Sequence, residues 1–285
     1  MKLINKKENI FGDDIAFVEQ YDFSTANMSE ENRIKAITTV ASICYQNPKA
    51  IGSESLYNRL LAESKGLPSS SFEFVPVFLT LEDIKKINSI VNKEKVIKYH
   101  FEFNVLKFGE MIEDGKYLLT NLRALIADVG EYAKEFYNTP EECEIIKQHF
   151  KVFLFKVDLP TRSQMVRHRV SWQELSRRYV SGSRVPFEYY VSDKMKFISI
   201  HKDDESDIHF DSDDFNRICE ERYYQALEKG VKPQEARRVI PQSAYTQIWG
   251  AFMPNQLDNY FKLRLDKHAQ WEIQQTAIAM QELIK

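Results

Sequence analysis

The sequence predicts an α+β fold, a mixed or antiparallel sheet flanked by helices. Three observations carry that prediction. Apolar residues recur at helical spacing in several long stretches, two shorter stretches have the length and patterning of strands, and crossovers of the parallel type are few. Residues 29–46 read as a helix, with Ser29 as cap, Glu30 and Glu31 in its first turn, and Ile34, Ala36, Ile37, Val40 and Ile43 on one face. Asn47-Pro48 stops it, and a second helix over about 53–64 ends near Gly66. Tyr99–Phe108 alternates, with Phe101, Phe103 and Val105 on one face and His100, Glu102 and Asn104 on the other, which predicts a strand. Residues 118–136 read as helix, and an acidic start at 139–145 opens another. Lys151–Leu159 is apolar on both faces and reads as a central strand. Pro160 suits the first turn of a helix over 160–168, which would put Gln164, Arg167 and His168 on one face. An acidic loop over 203–214, a helix over 215–229 ended by Gly230, a helix between Pro233 and Pro241, and a helical amphipathic remainder over 254–285 complete the prediction. No internal repeat divides the chain, which is read as a single domain over residues 1–285.

Composition narrows the function. Hydrophobic residues make up 43% and charged residues 28% of the 285, the balance of a soluble globular protein. The uncharged apolar stretches are shorter than the roughly 18–20 residues of a membrane-spanning helix, so no membrane association is expected. Residues 1–10 carry charge without an apolar run, so no secretory signal is expected there. Cys44, Cys143 and Cys219 are far apart and none sits in a CxxC pair, which points to a reducing cytoplasm. Thirty-nine Lys plus Arg against 42 Asp plus Glu give a net charge of -3, which argues against a nucleic-acid partner.

The charge distribution is less even than its sum. Arg162, Arg167, Arg169, Arg177 and Arg178 fall within one short stretch together with His168. Planar, bidentate guanidinium groups suit carboxylates and phosphates, so a local anion site is the first functional suspicion. The densest run is Arg167-His-Arg-Val-Ser-Trp-Gln-Glu-Leu-Ser-Arg-Arg-Tyr179. Ser171-x-x-Glu174 has capping-box spacing, which would aim free backbone N–H groups at the same place, and a loop over 170–178 fits equally well. The plain alternative is an exposed basic helix end. His100, His149, His201 and His209 are isolated and lack ligand spacing, so no metal site is expected.

That run resembles the signature of the flavin-dependent thymidylate synthases (ThyX), an Arg-His-Arg triplet, a short spacer, a Ser and an Arg-Tyr. A second stretch resembles the same family independently: Glu235-Ala-Arg-Arg-Val-Ile-Pro241, Tyr245-Thr246, and Leu263-Arg-Leu-Asp-Lys-His-Ala-Gln-Trp-Glu-Ile-Gln-Gln275. Ser71-Phe-Glu73 adds a weaker third match. The resemblance implies a ThyX-like α+β catalytic domain and a homotetramer with active sites at subunit interfaces. It implies methylation of dUMP to dTMP, with methylenetetrahydrofolate as carbon donor and an FAD-borne hydride derived from NADPH. Carried over position by position, Arg167, His168 and Arg169 would contact FAD, with Glu73 and Asn259 also on the flavin side. Gln164, Glu174, Leu175, Ser176, Arg178, Arg237 and Arg264 would surround dUMP. Arg238 is adjacent to Arg237, and helix register decides between them. Arg264 would be the catalytic cation that polarises the uracil, because a fixed positive charge beside a pyrimidine carbonyl favours the enolate-like form that attacks from C5.

The chain departs from the family pattern in places. Six residues separate Arg169 from Ser176 where seven are usual, Phe74 and Pro68 stand at or near customary histidines, and Met253 and Asn255 replace an Asn and an Arg. Residues 76–159 form an extended segment in which Asp114–Ala124 resembles an insertion of some members. His268 lies four residues from Arg264 and either orients it or is a plain neighbour. Trp249 and Trp271 are expected in the core, and Trp172 there or in a ligand pocket. The alternatives to the synthase are a flavoprotein acting on another pyrimidine nucleotide and a non-catalytic nucleotide-binding protein of the same fold.

Overall fold

A computed structural model of the chain describes residues 1–63, 67–93, 103–201 and 207–285. Strands β1 (Lys2–Glu8) and β2 (Phe17–Asp22) pair antiparallel, followed by α1 (Glu30–Tyr45) and α2 (Glu54–Leu61). Ser29 caps α1 by accepting from the Asn32 amide, and Ser53 caps α2 by accepting from Leu56. A small sheet follows, built from β3 (Pro76–Leu79), β4 (Glu110–Ile112) and β5 (Tyr117–Asn121) in the order β3-β5-β4. Helices α3 (Leu81–Lys93), α4 (Asn104–Lys107) and α5 (Leu122–Val129) accompany it. Thr139 and Glu142 form a capping box on α6 (Pro140–His149). Then come β6 (Lys151–Asp158), α7 (Leu159–Met165) and β7 (Ser171–Glu174). The hairpin β8 (Phe197–His201) and β9 (Asp207–Asp211) leads into α8 (Ser212–Glu228) and α9 (Pro233–Ala236). Strand β10 (Tyr245–Phe252) and helices α10 (Pro254–Arg264) and α11 (Trp271–Leu283) end the chain.

The main sheet runs β1-β2-β6-β10-β7, every pair antiparallel, so the predicted α+β class holds. Strand β6 is central, as its two-sided apolar pattern predicts. Val152 and Leu154 pack toward α1 and the small sheet; Phe153, Phe155 and Val157 pack toward α10 and α11. Among the described residues no helix is long and apolar enough to cross a membrane.

Several expectations are corrected. Residues 118–121 are strand rather than helix, because Leu118, Leu119 and Thr120 are buried between β3 and β4, where a strand satisfies their backbone groups. Asn104–Lys107 is helical rather than strand, since the Asp128 carboxylate accepts from the Asn104 and Val105 amides at 3.0 and 2.9 Å. Helix α7 stops at Met165, so residues 166–168 form a turn. The 170–178 stretch is neither a capped helix nor wholly a loop: Ser171–Glu174 is an edge strand paired with Ile248–Ala251. Asp207–Asp211 is strand, and Asp213 and Asp214 sit in the first turn of α8, where the helix dipole favours carboxylates. The C-terminal helix is broken at Leu265–Gln270, where Asp266 accepts from the His268 amide. Gly66, Tyr99–Glu102 with His100, and 203–206 lie outside the described residues.

Candidate active site

Geometry at the site begins with the turn after α7. Asp158 caps that helix through Thr161. After Met165 the chain folds back: the His168 amide donates to Met165 O at 3.0 Å, while His168 O accepts from the Val170 amide and from Trp172 Nε1 at 3.1 Å. Trp172 lies across Gly250, where a Cβ would come within 2.6 Å of the indole. Glycine is therefore required for this close approach. Trp172 packs edge-on against Phe252, half-buried against the core, and lines neither cleft described below. Trp249 is buried, whereas Trp271 is 47% exposed, against expectation, because it opens α11 at the surface.

Within this turn His168 is only 7% exposed. Arg264 Nε donates to His168 Nε2 at 2.8 Å, and Arg264 Nη2 donates to the Gln164 carbonyl at 3.0 Å. Arginine is always a donor, so Nε2 carries the lone pair and the imidazole proton sits on Nδ1. Burial, and secondarily the Arg264 charge, pull the His168 pKa down to about 4, so the ring is neutral at pH 7. A neutral histidine and a backbone carbonyl thus hold Arg264 in one orientation. His268 does not: it is exposed beyond the end of α10 and bonds Asp266.

A first cleft of about 520 Å³ opens between β7, β10 and the segment after α8. Glu174, Leu175, Ser176 and Arg237 line it. The Leu175 amide donates to Gln247 O and the Ser176 amide to Cys44 O, extending the edge-strand geometry into the pocket. Glu174 is fixed at both oxygens, by Arg162 (Nε at 2.8 Å) and by Thr246 Oγ1 at 3.2 Å. Arg238 pairs with Glu235 at 3.1 Å. Arg237 and Arg238 both line the cleft, and of the two only the Arg237 fork has no side-chain bond among the described residues. Arg177 is used structurally: it donates to Val185 O and Pro186 O and stacks on Phe187.

A second, larger cleft of about 830 Å³ lies between the two sheets and holds Glu73 and Arg169. Its far wall comes from the extended segment, including Lys107, Phe108 and Arg123. Arg123 donates to Glu73 at 2.6 Å and to Pro68 O at 2.8 Å. Glu110 accepts from the Asn255 amide at the start of α10.

The candidates named from sequence therefore fall into groups. Glu174, Leu175, Ser176 and Arg237 share the first cleft, Gln164 and His168 converge on Arg264, and Glu73 and Arg169 share the second cleft. Arg167, Arg178 and Asn259 are exposed and line neither cleft. Arg162, Arg123 and Lys107 carry no assigned role in the sequence reading. Arg162 stands in the arginine-rich run, but only the fold pairs it with Glu174; no local pattern signals Arg123 or Lys107.

The family model described as "Thymidylate synthase complementing protein" matches residues 140–285. A flavin-dependent thymidylate synthase of Thermotoga neapolitana is 36% identical over 137 residues, 47% of this chain and 62% of that protein. Those of Kosmotoga olearia and Thermosipho melanesiensis are each 34% identical, over 52% and 53% of this chain and 66% and 69% of their own lengths. The aligned stretch thus spans about two thirds of these relatives. The family match contains the turn that orients Arg264 and every residue of the first cleft, and by that match over just more than half its length the chain belongs to the thymidylate synthase complementing protein family.

Proposed function

We propose that the chain is a flavin-dependent thymidylate synthase: it transfers the methylene carbon of methylenetetrahydrofolate to C5 of dUMP and reduces it to the methyl group of dTMP. The observation that carries this reading is the Arg264 fork held by neutral His168 and Gln164. A pre-oriented cation of this kind stabilises the negative charge that develops on a uracil ring as C5 attacks, without reorganising during the reaction. In the first cleft Arg237 and Ser176 bind the nucleotide, and Arg162 and Thr246 keep the Glu174 carboxylate in place. Gln164 and Arg178 complete the dUMP set, and Arg167, His168, Arg169, Glu73 and Asn259 the flavin set.

The second cleft suits FAD by its donor set. Arg169 and Lys107 match an anionic pyrophosphate, and Phe108, Val170 and Met253 offer an apolar wall to a planar ring. When bound, FAD reduced by NADPH supplies the hydride that turns the transferred methylene into a methyl group. The chain's part is to bind, orient and exclude water. Three separate groups of candidates in one protomer support a homotetramer with active sites completed between subunits. The reading places the whole chain in one catalytic domain and the enzyme in the cytoplasm.

The test is a dTMP assay with dUMP, methylenetetrahydrofolate, FAD and NADPH, each omitted in turn. Product that depends on all four is expected, and sedimentation at four times the protomer mass. Product formed without FAD, or an active strict monomer, overturns the reading.

A further inference from the structure

The extended segment carries a charged group that neither the Arg264 contact nor the first cleft uses. Asn121 caps α5 by accepting from the Ala124 amide, and this start of the helix brings Arg123 to the lining of the second cleft together with Arg169. A guanidinium has five N–H donors. For Arg123, Nε is taken by Pro68 O at 2.8 Å and one Nη1 proton by Glu73 at 2.6 Å. Those two bonds fix the base and one corner of the fork. Among the described residues its Nη2 has no acceptor, and the side chain is 37% exposed. Ala124 and Ala127, three apart on the same helix, line the cleft beside it and leave room next to the fork. Arg169, also exposed, has no side-chain partner among the described residues. The two carboxylates of the cleft are already engaged, Glu73 by Arg123 and Glu110 by the Asn255 amide. The cleft therefore presents two guanidinium groups with N–H donors to spare, since Glu73 takes one Nη1 proton of Arg123 and Glu110 is turned to the Asn255 amide.

We infer that Arg123 binds a phosphate of the flavin dinucleotide, using the side of its fork that Glu73 and Pro68 leave open. This rests on the proposal that the second cleft takes FAD and deepens it, since it assigns the extended segment a part in holding the cofactor. Glu73 then acts partly through Arg123, as the group that aims the fork.

The test is flavin fluorescence quenching on the cofactor-stripped full chain, with FAD and with phosphate-free riboflavin as probes. Loss of one charge-assisted phosphate contact corresponds to about a ten- to hundredfold rise in Kd. Arg123→Gln is expected to weaken FAD by that factor while riboflavin affinity, far-UV circular dichroism and dUMP binding stay as in the parent chain. A folded Arg123→Gln that binds FAD normally, or one that loses FAD and riboflavin equally, overturns the inference. Should Arg123→Gln not fold, Arg123→Lys keeps the charge without the fork; it is expected to weaken FAD about threefold or more with riboflavin unaffected, and unchanged FAD binding there overturns the inference. A parent chain that binds neither flavin defeats the cofactor reading itself. Normal parent binding with an indifferent variant defeats only the role of Arg123.

Discussion

The two clefts differ in where their walls come from. Every residue of the first falls between Leu159 and Thr246, while the second is assembled from Leu67 through Gln256. The first depends on β7 lying along β10; the second depends on how the small sheet docks on the main one. That docking has its own polar anchors. Buried Arg33 of α1 donates to Asn27, to Ala133 O and to Phe136 O, and stacks on Tyr137. Asn138 joins Asn27, the Phe78 amide and Pro76 O. The first cleft joins two stretches of the chain, 159–177 and 237–246, beside the β7–β10 pairing, whereas the second, built between sheets, depends on such long-range bonds.

The largest expected effect belongs to neither cleft. Arg264→Ala removes the cation held by His168 and Gln164, and turnover should fall about 10²–10³-fold, the usual consequence of losing one pre-oriented charge stabiliser, or about 2.7–4 kcal/mol. Bound flavin, read from visible absorbance, should persist. Near-normal kcat in this variant would remove the reason for separating the Arg264 anchor from the two clefts.

The clefts themselves separate at the next level. Arg237→Ala and Arg178→Ala should raise the dUMP requirement about ten- to a hundredfold and leave flavin in place. Arg169→Ala and Arg167→Ala should do the reverse. Arg178 and Arg167 lie outside both clefts of a single protomer, so an effect from them also reports a neighbouring subunit. An Arg237→Ala variant that lost flavin but bound dUMP normally would merge the clefts into one site.

A smaller effect distinguishes the Arg264 anchor by pH. The folded-state pKa of His168, about 4, lies below the ordinary 6.5. Between those values the unfolded chain takes up a proton that the folded chain refuses. Stability from this group is therefore complete above pH 6.5 and is lost as pH falls toward 4, by at most about 1.4 kcal/mol per pH unit. His168→Gln keeps an acceptor for Arg264 and cannot titrate. Urea midpoints at pH 7 and pH 5 should fall further for the parent chain than for the variant; equal falls would mean His168 is protonated in the folded state.

What was legible in the sequence follows the same division. The two-sided pattern of β6, the Ser29 cap and the Pro160 helix start could be read because each rests on neighbours in the chain. Residues 118–121 carry helical spacing, but burial between two strands outweighs it. β10 is not marked by alternation, because it lies between β6 and β7 with both faces covered. At the site, Gln164, His168 and Arg264 were named from motifs and do meet. The spacing of His268 from Arg264 fits either an orienting partner or a plain neighbour, and the Asp266 turn interrupts the helix between them. Arg162 stands in the arginine-rich run, but its pairing with Glu174, 12 residues away, and that of Arg123 with Glu73, 50 residues away, are made only by the fold.

The smallest expected effect is that of removing every cysteine. Thymidylate chemistry can also proceed through a thiolate that attacks the pyrimidine, and such a thiol needs a lowered pKa. Here all three are shifted the other way. Cys44 is the one beside the first cleft, its carbonyl accepting from the Ser176 amide and its Sγ from Gln173 Nε2. Burial raises its pKa, with Glu174 and Glu63 adding to the rise against the Gln173 bond. Burial, with Glu142 the next contributor, pushes Cys143 up to about 11, and burial raises Cys219. Cys143 is packed in α6, where a hydroxyl would be stranded, so alanine is the better replacement there and should cost stability of about 1 kcal/mol. A Cys44→Ser, Cys143→Ala, Cys219→Ser chain, loaded with flavin, should therefore make dTMP within about twofold of the parent rate, since a thiol held protonated at pH 7 contributes no nucleophile. If that folded, flavin-loaded chain made no dTMP while Arg264→Ala still did, the transfer would run through a thiolate, and the Arg264 anchor would lose its place as the centre of the reaction.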